Sequence, residues 1–535
     1  MRAFSRTVLI AVLIGVLAGC GRPPLAAQPK AQGQKVLGPA VAGMFYPRSE
    51  EDLAKTVDKL LKEAKSEPIE NLRALVCPHA GYEFSGPVAA TGYKQLAGRK
   101  FRTVLILGPS HTSWFQGAAV ADADVVETPL GRIPISKKAA QLAKLRPFAF
   151  NPKCQVHRPA WWQSSPKELP PFGEESPLTW EHSVEVQYPF LQRTLKDFEV
   201  LPAVTGQIDP AAAAEAVLQV LDDDTLLVAS SDLTHYLPYD VARGLDTTTV
   251  RAVCSMSVDW LEEEEAGVMA QSQGQVSLAC GKDPILTVMH VARRKGWKAR
   301  LLDYRNSGDT AGNKERVVGY AAIAFYQPQP AAAAEPTAGR KEQYTPEERK
   351  FLLALARRSV TAAAKGEALP TANGKPPAEK YGEPRACFVT LKEEGRLRGC
   401  IGSIFPRQPL YEAVVSAAHS AAVEDHRFQP VKPEELPKID VEVSVLTLPK
   451  RLKFHGPDEL LQKLRPGTDG VILRLGSRQG LFLPQVWEQI PDKQEFLSRL
   501  AEDKAGLAPS AWKQSDAKIL VFQVEAFQEP KGGKR

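Results

Sequence analysis

The feature that most restricts how this 535-residue chain folds is a break in its patterning. The segment Tyr326 to Gln343, YQPQPAAAAEPTAGRKEQ, is rich in Pro and Ala and keeps neither the strand nor the helix period of its surroundings. Before it, Val317 to Tyr326 (VVGYAAIAFY) has the apolar character of a buried strand. After it, Thr345, Pro346, Glu347 and Glu348 supply a cap, a first-turn proline and early acids, followed by apolar residues at helical spacing. A chain this long also exceeds what one ordinary core accommodates. The sequence therefore predicts two folded regions, 37–327 and 344–528, joined by a linker over 328–343 and ending in a short tail, 529–535.

The N-terminus carries an address. Arg2 and Arg6 precede an apolar run, Val8 to Ala18, which is shorter than the ~20 residues a spanning helix needs and has the flanks of a secretion signal. Leu17-Ala18-Gly19-Cys20 resembles the lipobox of bacterial lipoproteins. That resemblance implies a signal peptide over 1–20, lipidation of Cys20, and an exported chain anchored to membrane lipid in the bacterial cell envelope. The alternative is an ordinary cleaved signal with a chance cysteine. Residues 21–36 read as a Pro/Gln/Ala tether. Export bears on Cys77, Cys154, Cys254, Cys280, Cys387 and Cys400, because an oxidising compartment permits pairing and spacing does not choose among the pairings. A hydrophobic share of 43% and a charged share of 24% describe a globular protein. A net charge of +6 spread over this length gives no concentrated basic patch, and no nucleic-acid partner is expected.

Within the first region helical and strand-like stretches alternate. Residues 52–64, 210–221 and 283–296 pattern as helices; 72–78, 103–110 and 225–235 pattern as strands. This is an α/β layered domain, in which ligands gather where strand C-termini run out into loops. Six polar residues stand at such places. His79 follows ALVCP, His111 follows LILGPS, and Asp232 and His235 end LLVASSDLTH. His182 lies beside Glu181, with Glu185 three residues on; Cys280 precedes Gly281, expected to form a tight turn, and Asp283-Pro284, expected to start a helix. Imidazole, thiolate and carboxylate groups are what a transition metal takes as ligands. Singly, each has a structural reading: a hydrogen-bonded loop histidine, a small buried cysteine, a Glu185 on a solvated helix face. No HExxH or CxxC spacing decides between the readings.

The motifs PHAGYEFSG, LGPSHTSW, TPLG, EHSVEVQYPFL, ASSDLTHY and ACGKDPI, in that order across 37–327, resemble the Memo family. The resemblance implies a fold related to class III extradiol ring-cleavage dioxygenases, which use non-haem Fe(II). It implies that His79, His111 and Cys280 face a metal, with His235, Asp232 and His182 as acid/base or neighbouring cleft residues. Non-haem iron oxygenases use two histidines and a carboxylate. A His₂Cys set is softer and suits copper or zinc as well as iron. Three functions stay open: a metal-dependent redox enzyme, a zinc-type hydrolase, and a scaffold binding a peptide or small ligand without turnover.

In the second region, VEVSVLTLP and Thr468 to Trp487 read as strands with turns, and Val486 to Leu507 as an amphipathic helix, which points to an α+β domain. LRGCIGS and EDHRF resemble the AMMECR family, and the resemblance offers Arg398, Cys400, Glu424, Asp425 and Arg427 as cleft candidates. Read from the residues alone, Cys400 between two glycines is a core cysteine and EDHRF a helix-end salt-bridge cluster. The two resemblances together match proteins B and A of the AmmeMemoRadiSam system, fused. They imply a functional link to a radical-SAM protein, although no CxxxCxxC motif occurs here and a lipoprotein signal would separate this chain from a cytoplasmic partner.

Overall fold

The computed structural model describes residues 33–65, 67–166, 171, 173–328, 344–370, 379–382, 385–403, 408–476 and 478–529. The expected signal peptide with Cys20, most of the tether, nearly all of the linker and the tail beyond 529 lie outside the described residues.

The first region contributes nine strands to one sheet. In chain order they are β1 (Leu72–Cys77), β2 (Thr103–Pro109), β3 (Ala118–Val120), β4 (Phe148–Phe150), β5 (Glu199–Thr205), β6 (Thr225–Ser230), β7 (His235–Leu237), β8 (Lys298–Asn306) and β9 (Val317–Tyr326). The spatial order is β7-β9-β1-β6-β2-β5-β3-β4, with β8 paired to β9. At its centre β1, β6, β2 and β5 run parallel, so their C-termini, at Cys77, Ser230, Pro109 and Thr205, end at one edge.

Alternation along these strands feeds two cores. Leu105, Leu107, Leu227 and Ala229 enter one apolar cluster; Val104, Ile106, Leu226 and Val228 enter the other. Helices α1 (Glu50–Glu63), α2 (Gly86–Tyr93) and α3 (Tyr188–Thr194) contribute to the second cluster; α4 (Pro210–Val220), α5 (Tyr239–Cys254), α6 (Val258–Gln271) and α7 (Lys282–Lys295) contribute to the first. Burial on both faces explains why the central strands read as continuous apolar runs.

The second region is α+β. Strands β10 (Ala386–Glu393), β11 (Arg396–Gly402), β12 (Ile439–Leu446), β13 (Lys450–Arg451), β14 (Gly470–Leu475), β15 (Arg478–Phe482), β16 (Lys518–Phe522) and β17 (Val524–Gln528) form two four-stranded sheets, β11-β10-β12-β17 and β13-β16-β14-β15. Helices α8 (Pro346–Lys365) and α9 (Leu410–Val423) pack on the first. The α8 start has the expected cap, with Thr345 and Glu348 bonding reciprocally.

Two local readings change. Val486 to Leu507 is not one helix: a 3₁₀ turn covers Pro484–Glu488, and a new helix begins at Lys493, capped by Asp492. Pro491, without an N–H and restricting the residue before it, separates the two. The expected turn at Gly281 is present, with the Lys282 N–H donating to the Ala279 carbonyl at 3.3 Å, but the φ of −94° at Gly281 is ordinary, so the turn itself does not demand glycine. Close approach does. A Cβ at Gly281 would lie 2.4 Å from the Ser230 carbonyl oxygen and 2.6 Å from Ser231 Cβ. The six described cysteines are all free thiols, so Cys280 is not tied up in a disulfide.

Gly281→Ala is expected to destabilise the protein by about 1–3 kcal/mol through overpacking against the end of β6. The urea-denaturation midpoint measures this.

Candidate metal centre

Parallel register brings the strand ends together, and the chain then turns polar. His79 lies two residues past β1, His111 two past β2, and Asp232 two past β6. His182 comes from the loop that leads into α3, and Cys280 stands two residues before α7. Residues up to 201 apart along the chain thus share one edge of the sheet.

His79 is buried. Its Nδ1 lies 2.9 Å from Ser230 Oγ, which donates its own proton to the Ser183 carbonyl at 2.5 Å and accepts from Gln187 Nε2 at 2.8 Å. Nδ1 must therefore carry the hydrogen, leaving Nε2 as a lone pair. That lone pair faces Cys280 Sγ at 3.1 Å. Burial and the neighbouring imidazoles of His111, His182 and His235 hold His79 well below the usual histidine range, so it is neutral and available.

His111 and His182 are organised by Glu181, whose side chain has no exposed surface. One carboxylate oxygen of Glu181 sits 2.9 Å from His111 Nδ1 and 3.4 Å from His182 Nδ1, and accepts from the backbone N–H of His182 and Ser183. The other accepts from the His111 backbone N–H at 2.6 Å. Burial alone would push this carboxyl up. The His111 charge and these hydrogen bonds outweigh it and hold Glu181 at about 2. In return, Glu181 outweighs burial at His111 and lifts that imidazole well above its usual value. Burial dominates at His182, which falls to about 4 despite Glu181, with His111 and His235 adding to the decrease.

The three rings meet. Centroids lie 5.1 Å apart for His79 and His111, 5.5 Å for His79 and His182, and 4.5 Å for His111 and His182. One ligand-capable atom from each falls within 4.8 Å of the others. Cys280 joins them through His79 Nε2 and through a hydrogen bond with His111; burial keeps the thiol pKa raised, with the Asp232 charge adding to it. Sequence reading set His182 apart as a cleft residue; it stands inside the imidazole cluster.

Asp232 and His235 flank this centre. Asp232 accepts from the backbone N–H of His79 at 2.7 Å and of Ala80 at 3.3 Å, fixing the turn that presents the ring. His235 donates Nδ1–H to the Leu233 carbonyl at 2.8 Å, which leaves Nε2 as its basic nitrogen. Phe45 packs on His182 at 4.6 Å. Its segment is anchored by Glu185, which is buried and accepts from Ala40 N, Val41 N and Tyr46 Oη at 2.6, 2.9 and 2.7 Å. The solvated-helix reading of Glu185 is therefore wrong. It lies in a 3₁₀ turn and supplies acceptors to otherwise unpaired backbone donors 144 and 145 residues earlier. The signals for these supporting residues were Glu181 and Glu185 themselves, polar and close to a histidine.

In the second region the cleft candidates divide. Asp425 accepts the Cys400 backbone N–H at 2.8 Å and a two-point bond from Arg427, at 2.9 and 2.7 Å; Arg427 also donates to the Cys400 carbonyl. Thr390 Oγ1 lies 3.3 Å from Cys400 Sγ. Arg398 instead pairs with Glu435, and Glu424 accepts from Ser420. Cys400, Asp425 and Arg427 form one cluster, and the other two candidates stand outside it. Arg427, foremost by hydrogen bonding, holds the Asp425 carboxyl far below the usual carboxylate range, which suits a structural clamp.

Comparison with known proteins agrees with both regions. Residues 38–159 and 165–324 match the Memo-like protein family. The chain belongs to that family. Residues 353–527 match AMMECR1, so a Memo-like domain is followed by an AMMECR1 domain. A MEMO1 family protein of Aeropyrum pernix is 32% identical over 306 residues, covering 54% of this chain and 99% of that protein. Protein MK0488 of Methanopyrus kandleri is 44% identical over 196 residues, covering 35% and 91%. The crystal structure of the uncharacterized protein PH0010 from Pyrococcus horikoshii is 40% identical, covers 34% of this chain and 91% of that one, and has a TM-score of 0.31.

The Memo-like centre makes a pH prediction. Glu181 sits at about 2 in the fold against 4.5 ordinarily, so its stabilisation is complete above pH 4.5 and is lost as pH falls toward 2. The loss through this group is about 3 kcal/mol. Glu181→Gln is expected to flatten that acid limb and to move the His111 titration, followed by NMR, to lower pH.

Proposed function

We propose that the Memo-like domain is a non-haem metal protein of redox type, related in fold to the class III extradiol dioxygenases. Iron or copper would be held by His79, His111 and Cys280, with His182 as a further nitrogen at the same point. The observation that carries this reading is the convergence of imidazoles whose Nδ1 atoms already face protein partners, Ser230 for His79 and Glu181 for His111 and His182. Metal-binding histidines are oriented in this way, through the nitrogen that does not bind. When bound, such an ion supplies the Lewis acidity and redox chemistry needed to oxidise a small molecule. The protein's own part is positional. Asp232 fixes the His79 turn, Phe45 shields His182, and His235 Nε2 is placed to take a substrate proton.

A second reading has its own support. Trp114 and Tyr236 are 59% and 61% exposed and adjoin the His111 and His235 segments. Exposed aromatics beside a cleft suit a small-molecule or peptide ligand held without turnover. Zinc in place of iron or copper would point to hydrolysis instead.

Export and anchoring through Cys20 complete the proposal, resting on the lipobox-like segment at Leu17–Cys20. Among the described residues no helix is long and apolar enough to cross a membrane; in this proposal the anchor is lipid on Cys20. A radical-SAM protein is the proposed functional associate, on the strength of the two-domain fusion alone.

Elemental analysis of anaerobically purified protein is expected to find stoichiometric iron or copper, lost in His79→Ala and His111→Ala. Stoichiometric zinc would favour hydrolysis; ligand binding that persists in both metal-free variants would favour the scaffold. Cys20→Ser is expected to move the full-length protein from the membrane fraction to the soluble fraction.

A further inference from the structure

Helix α6 touches both domains. Its buried residues include Glu263 and Glu265, two positions apart and therefore on different faces of the helix. The Glu265 carboxylate accepts from Ser277 Oγ and from the Leu278 backbone N–H, both at 2.7 Å. These bonds fix the loop immediately before Cys280. Glu265 and Met269 also line a 330 Å³ cavity whose wall includes Cys280, Ser277 and Lys282.

The other face meets the AMMECR1 domain. Arg474 of β14 donates to the Glu263 carbonyl at 3.1 Å and lies 3.6 Å from its carboxylate, with both side chains largely buried. Lys518 and Arg451, on the neighbouring strands β16 and β13, add positive charge opposite Glu262 and Glu263. Val258, Trp260 and Leu261 of α6 belong to one apolar cluster with Ile472, Leu520 and Phe522 of that sheet. The contact is thus apolar at its core and complementary in charge.

We propose that Glu265 is a positioning residue for Cys280, and that docking of the AMMECR1 domain on the opposite face of α6 sets that position. The C-terminal domain thereby tunes the metal centre without contributing a ligand. Helix α6 contacts both the loop before Cys280 and the AMMECR1 domain, so it is the element through which such coupling runs.

The test uses the full chain with Glu265→Gln, Arg474→Glu and, as a second interface variant, Lys518→Glu. Hydrogen exchange in the metal-free protein reads the loop directly and does not rest on the metal reading. Residues 275–284 are expected to exchange about tenfold faster in Glu265→Gln and in whichever interface variant speeds exchange across 258–271 and 470–475. Cobalt(II) titration, which does rest on that reading, is expected to show about tenfold weaker binding and a reduced thiolate charge-transfer band in the same variants. Faster exchange at 258–271 with no change at 275–284 would overturn the proposal, as would an interface that neither charge reversal opens. If the parent chain binds no cobalt, the metal reading fails and the exchange result still decides the coupling.

Discussion

A single buried carboxylate organises the centre. Glu181 places both oxygens against the loops that carry His111 and His182, and accepts three backbone N–H groups besides the rings. Without those partners a carboxylate with no exposed surface would be costly to keep charged. With them it becomes the fixed negative pole around which two imidazoles turn. His79 is set through Ser230 at the end of β6, which is tied to Glu181 by way of Ser183, and the parallel register of β1, β6 and β2 aligns the two arrangements. Ring orientation is therefore built from the sheet outward.

Much of this was legible in the sequence. Apolar runs that end in Pro-His, Gly-Pro-Ser-His and Ser-Asp announced strands of an α/β layered domain with polar C-termini, and periodicity gave α1, α4, α7 and α8. What escaped was long-range. Nothing local to Glu185 says that its partners are Ala40, Val41 and Tyr46, because backbone donors leave no mark on composition. His182 lies in a loop without periodicity, so its meeting with His79 and His111 is fixed only by the tertiary fold. The turn expected at Gly281 is present, but what glycine serves there is close contact with the end of β6 and not the turn's backbone angles. The Pro491 break in the C-terminal helical pattern was readable, and the apolar spacing on either side concealed it.

The two domains differ in how they treat charge. In the AMMECR1 domain Asp425 and Arg427 satisfy each other and clamp the backbone of Cys400, which leaves little unspent hydrogen-bonding capacity. In the Memo-like domain the Nδ1 atoms of the clustered rings are held by protein partners, and the second nitrogens of His79 and His111 turn toward Cys280. His79 Nε2 finds only a neutral thiol, and the thiol pKa stays raised through burial. A cation that replaced the thiol proton would satisfy sulfur and nitrogen together, which is the physical case for a metal.

That case is tested most directly by X-ray absorption on the iron-loaded full chain. The account predicts imidazole multiple scattering from at least two histidines together with a sulfur scatterer. A spectrum of oxygen ligands alone, without imidazole or sulfur, would contradict it.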